Sequence, residues 1–153
     1  MTVKFNIRLA NEADARDIAV MSRDTIEFEL PWGWREIKVR HAIADGSTNV
    51  AVIREKEGLA GFGVMRYEDE SAHLLLFAVS PKRRRQGVGS ALWSWLEQVA
   101  TSAGISHFRC EVRAENVGAI AFYKQRGFRP VSEVVGMYHG YVDGVRLEKG
   151  SPL

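Results

Sequence analysis

Cysteine is nearly absent from this chain: Cys110 is the single thiol among 153 residues. That excludes an internal disulfide framework and a cysteine-based metal cluster, and no metal is expected. No apolar run approaches the ~20 residues of a membrane span. The stretch Met1 to Leu9 carries Lys4 and Arg8 among its apolar positions and does not read as a secretory leader. A strong charge imbalance is missing too. The formal net charge of +2 is too small to argue for nucleic acid or a membrane as principal partner. These absences leave a cytoplasmic location as the default. With 46% hydrophobic and 26% charged residues, the chain has the make-up of one compact domain covering residues 1–153.

What is present is ordered periodicity. Phe5, Ile7 and Leu9 alternate with Asn6 and Arg8, the period of a half-buried strand. Asn11 suits an N-cap, and Ala15, Ile18, Ala19, Ser22 and Ile26 form a helical stripe expected to end near Leu30-Pro31. A shorter helix is predicted from Arg35 to Ala44. Val50 to Arg54 and Leu59 to Tyr67 read as strands around a Glu57-Gly58 turn. Ala72 to Val79 is a third strand, whose unbroken Leu-Leu-Leu-Phe-Ala-Val run predicts burial on both faces. Val88, Ala91, Leu92, Trp95, Leu96, Val99 and Ala100 follow the spacing of an amphipathic helix, with Gly104 placed to end it. Phe108, Cys110 and Val112 then alternate with Arg109, Glu111 and Arg113, so a strand follows by a parallel crossover. This alternation makes Cys110 a buried residue rather than a nucleophile. Asn116 to Arg126 is a helix capped by Gly127, and the chain closes as a hairpin around Asp143-Gly144. The order βααβββαβαββ describes an α/β (α+β) fold, a mixed sheet of six to seven strands with flanking helices.

One strand-to-helix junction stands out. Val79-Ser80-Pro81 leads into Lys82-Arg83-Arg84-Arg85-Gln86-Gly87-Val88-Gly89, which opens the amphipathic helix. Glycines admit close approach, and a helix's first turn offers unpaired N–H groups with a partial positive charge. The junction therefore suits an anion such as phosphate. A nucleotide-triphosphate loop would need Gly-Lys followed by Ser or Thr, and a dinucleotide fingerprint would need glycine where Leu92 stands.

The turn does match Arg/Gln-x-x-Gly-x-Gly/Ala, and a second block reads Asn116-x-x-Ala119-x-x-Phe122-Tyr123-x-x-x-Gly127-Phe128. In both blocks and in their order the chain resembles the GCN5-related N-acetyltransferase family. Glu111-Val112-Arg113-Ala114-Glu115-Asn116 is similar to a stretch of the ribosomal-protein-alanine N-acetyltransferases. The resemblance implies acetyl-CoA as acetyl donor. Its pyrophosphate would lie on Arg84, Arg85, Gln86, Gly87, Val88, Gly89 and Ser90, and its pantetheine arm would pair with Phe77, Ala78 and Val79 by strand addition. Asn116 caps its helix and, by resemblance, would also touch the pantetheine or an ordered water. Tyr123 takes the place of the general acid that protonates the leaving thiolate, and Glu111 that of the base, with His73 or a water as rivals. Acceptor contacts fall, by resemblance, on the early helices and last hairpin, with Trp32, Trp34 and Tyr138 foremost beside Phe28, His139 and Tyr141. The acceptor would be a primary amine, either a protein or peptide N-terminus or a small amine, acetylated by direct transfer in a ternary complex. A non-catalytic acyl-CoA-binding or regulatory module would share these features, although an intact Tyr123 argues against it. An exposed last hairpin would allow a homodimer.

Overall fold

A computed structural model describes residues 5–150; Lys4, on which the leader reading partly rests, lies outside them. Seven strands form one sheet: β1 (Ile7–Leu9), β2 (Thr48–Glu55), β3 (Gly58–Glu68), β4 (Ser71–Val79), β5 (His107–Arg113), β6 (Arg129–Tyr138) and β7 (Val142–Gly150). Their spatial order is β1-β2-β3-β4-β5-β7-β6. Every neighbouring pair is antiparallel except β4 and β5. Four α-helices join them: α1 (Ala15–Thr25), α2 (Glu36–Ala44), α3 (Val88–Ser102) and α4 (Val117–Gln125). No helix among the described residues is long and apolar enough to cross a membrane.

The sheet separates two cores. On one face Ala15, Ile18 and Val39 of α1 and α2 pack on Val50, Val52, Phe62 and Val64. On the other, Leu92, Trp93 and Leu96 of α3 pack on Met65, Leu74, Phe108 and Leu147. Helix α3 lies close to β3 because Gly63 stands beneath it; a Cβ there would come within 2.7 Å of a Leu96 methyl. Trp93, not Trp95, is the fully buried tryptophan of α3, and its ring meets Phe108 and Phe128 edge-on at 5.4 and 5.2 Å. The apolar stripe expected from the sequence included Trp95 and passed over Trp93; in the structure the buried face of α3 is turned toward Trp93, and Trp95 is only partly buried.

Two further expectations change, and a third holds only in part. Helix α1 stops at Thr25 rather than near Leu30. Beyond it the Glu27 carboxylate accepts from Ser22 Oγ (2.8 Å), Gly33 N (2.7 Å) and Trp34 N (3.1 Å), which folds the chain back across its own helix end. Strand β4 does send buried residues to both cores, Ala72 and Leu74 to one and Leu76 and Ala78 to the other, but Leu75, Phe77 and Val79 are only half-buried. A bulge at this point, where Val64 faces Leu76 and Met65 faces Leu74, leaves Leu75 unpaired with β3 and turns the strand's register over. The last hairpin turns at His139-Gly140, not Asp143-Gly144. Gly144 sits inside β7 opposite Val134, where a Cβ would meet the Met137 side chain, and the Asp143 carboxylate accepts from Gly136 N at 2.8 Å. Asp-Gly is a turn signal by composition, but here the glycine makes room for the bulged β6.

Candidate active site

Parallel pairing of β4 with β5 runs from Ser71–His107 to Leu74–Cys110 and then ceases. Beyond that point Leu75 to Val79 and Glu111 to Arg113 diverge, and a cleft of about 600 Å³ opens between them. Backbone groups in the diverging half have lost their partner strand, so they are available to an extended ligand. The bulge at Leu75 aids the separation.

The cleft begins at the turn before α3. Gly87 is left-handed (φ 83°) and starts the helix, leaving the amides of Val88, Gly89 and Ser90 in its first turn without intrahelical acceptors. The basic run divides its labour. Arg83 is tied to Glu55 at 2.6 Å and Glu57 at 3.1 Å, which fastens the turn to the β2–β3 hairpin. Arg84 and Arg85 are exposed and line the cleft mouth. Arg126, which sequence reasoning did not single out, joins them from the end of α4. Its guanidinium stacks 4.0 Å over Phe122, donates to the Phe122 carbonyl at 3.3 Å and bonds the Ser90 hydroxyl. A cation in a helix's last turn is common for dipole reasons, so the sequence offered nothing to set Arg126 apart. At Gly89 a Cβ would sit 3.1 Å from the Phe122 ring, so glycine lets α4 close on α3.

Midway, Phe77, Phe122 and Tyr123 form an aromatic cluster with centroids 5.3 to 6.3 Å apart. Tyr123 is 6% exposed yet lines the cleft. Burial, with smaller contributions from Cys110 and Tyr138, holds its phenol well above the usual value, so it remains a proton donor at any physiological pH. Cys110 is 1% exposed and the same desolvation lifts its thiol far from thiolate formation.

At the far end Glu111 lines the cleft from β5. Its carboxylate meets not Arg109 or Arg113 but His73 Nε2, at 2.6 Å, across the last paired rungs of β4 and β5. The two rival bases are therefore one hydrogen-bonded pair, with Glu111 toward the cleft. Burial tends to raise the Glu111 pKa; the His73 hydrogen bond and the charges of His73, Arg109 and Arg146 outweigh it and hold the carboxyl below its ordinary value. Tyr138 completes this end, its phenol pushed up to about 12 by burial and by the Glu111 charge. Thr25, Ile26 and Phe28 close the wall opposite.

Of the residues expected to bind ligands, Phe77, Ala78, Val79, Arg84, Arg85, Gly87, Gly89, Ser90, Asn116 and Tyr138 line this cleft together with Tyr123 and Glu111. Asn116 also caps α4, accepting from Ala119 N at 3.1 Å. Val88 is 1% exposed and its side chain belongs to the core, which leaves only its amide for a ligand. The exposed Gln86 turns its amide back toward the Lys82 carbonyl and Arg83. Trp32 and Trp34 lie outside the lining. Trp32 donates to the Trp34 carbonyl and is flanked by Arg23 and Arg35, while Lys38 covers Trp34. Their rings pack the α1–α2 loop onto the sheet.

Known proteins share this fold. The thialysine N-ε-acetyltransferase of Sus scrofa is 28% identical over 94% of this chain and 95% of its own length. The crystal structure of the ribosomal-protein-S18-alanine N-acetyltransferase from Escherichia coli superposes with a TM-score of 0.83, at 23% identity, over 98% of this chain and 96% of that one. The PaiA N-acetyltransferase from Thermoplasma acidophilum, solved in complex with coenzyme A, gives 0.81 at 17% identity over 97% and 100%. Residues 16–128 match the acetyltransferase (GNAT) family, and the chain belongs to that family.

Proposed function

We propose that this protein transfers the acetyl group of acetyl-CoA to a primary amine, directly and within a ternary complex. The observation that carries the reading is the fork between β4 and β5. One cleft runs from the Arg84–Ser90 turn, past Tyr123, to Glu111. The first-turn amides with Arg84, Arg85 and Arg126 suit the pyrophosphate of the donor substrate. The freed backbone of Phe77 to Val79 suits its pantetheine arm. Asn116 stands beside that arm, with its oxygen engaged in the cap.

An amine arriving from the Ile26–Phe28 side must be neutral before it attacks the thioester carbonyl. Glu111, ionised and oriented by His73, accepts that proton directly or through a water. The amine nitrogen bonds to the carbonyl carbon, the tetrahedral adduct collapses with loss of the C–S bond, and the sulfur takes its proton from Tyr123. The second proton lost by the nitrogen restores the phenol, so one proton is released per turnover.

For the acceptor, a peptide N-terminus suits a site with a weak base, since an α-amine of pKa ~8 deprotonates more readily than a lysine of ~10.4; a small amine is the alternative. The name of the Sus scrofa relative keeps small amines of the thialysine kind in view, and the Escherichia coli neighbour keeps N-terminal alanine. The test is thiol release from acetyl-CoA against peptides with free and blocked N-termini and against small amines including thialysine. Turnover is expected with at least one free primary amine and none with its blocked form. Tight coenzyme A binding with no turnover on any amine would overturn the reading.

Glu111→Gln is expected to lower kcat/KM at neutral pH by about tenfold or more. The deficit should narrow as pH rises past ~8, where an α-amine arrives already neutral. A deficit that stays constant from about pH 6 to about pH 10 would remove Glu111 as the base.

A further inference from the structure

Arg113 follows Glu111 by two residues on β5, so the two side chains share a face of the strand. Alternation assigns Arg113 to a polar, solvated face, yet its side chain is 7% exposed. The loop after α1 covers it. Its Nη2 donates to the Ile26 carbonyl at 2.9 Å and also to the Phe28 carbonyl. The guanidinium lies 3.9 Å from the Phe28 ring centre, and Nη1 faces the exposed Glu115 at 3.6 Å. Two main-chain acceptors, an aromatic face and a carboxylate thus converge on one planar cation, an arrangement that arginine satisfies and lysine cannot.

We propose that Arg113 is the positioning residue that fixes the acceptor wall. It holds Ile26 and Phe28 at a set distance from Glu111, and so determines which amines reach the base. The inference rests on the acetyltransferase reading above for what the wall receives. One strand carries both halves of the acceptor site: Glu111 meets the amine, and two residues on Arg113 holds the surface against which the rest of the acceptor lies. Because Arg113 makes its bonds to backbone carbonyls, substitutions in the loop preserve the clamp while changing the surface it presents. The loop's identity at Ile26 and Phe28 then selects the acceptor's shape.

The test uses the whole chain carrying Arg113→Met, which keeps the apolar stem, and separately Phe28→Ala, which leaves β5 untouched. With acetyl-CoA saturating, both are expected to raise the KM for the acceptor about tenfold while the KM for acetyl-CoA stays within about twofold. The double variant should be less than additive, as expected of groups acting through one contact. In parallel, amide hydrogen exchange at 26–30 should quicken about tenfold or more in Arg113→Met, with the amides of α3 unchanged. Unchanged exchange would overturn the clamp, whether or not any amine is acetylated. Faster exchange with an unchanged acceptor KM, or equal rises in both KM values, would overturn the role in acceptor selection. Should Arg113→Met fail to fold, Arg113→Lys, which keeps the charge but cannot serve both carbonyls and the Phe28 face, takes its place in the KM and exchange measurements. If the wild type acetylates no amine, the acetyltransferase reading fails and the exchange result still judges the clamp.

Discussion

Tyr123→Phe is expected to lower kcat by about tenfold or more, with the KM for acetyl-CoA within about twofold of wild type. The substitution removes one oxygen and leaves the ring, so the packing of Tyr123 against Phe77, Phe122 and Phe128 survives. Three features make the hydroxyl suited to the leaving sulfur. It stands in the cleft wall between the donor turn and Glu111. Burial holds its proton, so it remains a neutral proton donor at every working pH. The same desolvation that disfavours phenolate disfavours a bare thiolate beside it, and sharing a proton relieves the latter. The deficit in kcat should therefore be flat across the neutral range, since neither form of the residue titrates there. A kcat that is unchanged, or that falls only together with acetyl-CoA affinity, would mean that Tyr123 is a core tyrosine and that the sulfur is protonated by water.

How much of this could be read in advance differs between the two ends of the cleft. The donor end depends on short-range geometry: a turn, two glycines and the first turn of a helix, all within Arg84 to Ser90. Local chemistry of that kind is written in consecutive residues, and Arg84, Arg85, Gly87, Gly89 and Ser90 of this segment line the cleft, whereas Gln86 and the Val88 side chain do not. The acceptor end is assembled from α1's continuation, the tip of β5 and the end of β6, which are far apart in sequence. Of the aromatics expected at the early helices, Trp32 and Trp34 fall outside the cleft, because Glu27 draws their loop inward, while Phe28 lines it beside Ile26. His73 and Glu111 are 38 residues apart and read as alternatives; the parallel rungs of β4 and β5 turn them into a pair. Arg113 illustrates the same limit. Alternation along a strand tells which residues share a face, and it is silent on whether a loop from elsewhere covers that face. The bulge at Leu75, which directs β4 away from β5, has no signature in a run of three leucines.

The largest expected effect on stability lies away from the cleft, at Asp14. Its carboxylate is 2% exposed and ties three elements together, accepting from Arg8 at 2.8 and 3.1 Å, from Arg54 at 2.6 Å and from Asn11 N at 2.8 Å. Arg54 also reaches Asp17 at 2.6 Å, so β1, α1 and β2 meet at one cluster of charges. Asp14→Ala would leave the half-buried Arg54 and the Asn11 amide without this acceptor. Removing one partner of a buried ion pair costs about 3–5 kcal/mol, and because Arg8 is half exposed the lower end applies. The pH dependence follows from opposing effects. Burial tends to raise the Asp14 pKa, but the hydrogen bonds from Arg8, Arg54 and Asn11 overcome it and hold the group far below the ordinary carboxylate range. A group whose folded pKa is depressed stabilises the fold fully above its unfolded pKa of ~3.9 and loses that contribution as pH falls toward the folded value. In urea titrations the gap between wild type and Asp14→Ala should therefore be widest and flat from about pH 5 upward and should close progressively below about pH 4. A gap that is independent of pH would show that the carboxylate's charge contributes nothing and that only its packing is felt. A variant that melts within about 0.5 kcal/mol of wild type at neutral pH would show that the arginines find other partners. Because β2 pairs with β3 and β3 with β4, the same variant also tests whether this distant cluster supports the fork: acetyl-CoA affinity well below the midpoint of unfolding should be unchanged if it supports only the fold's outer edge.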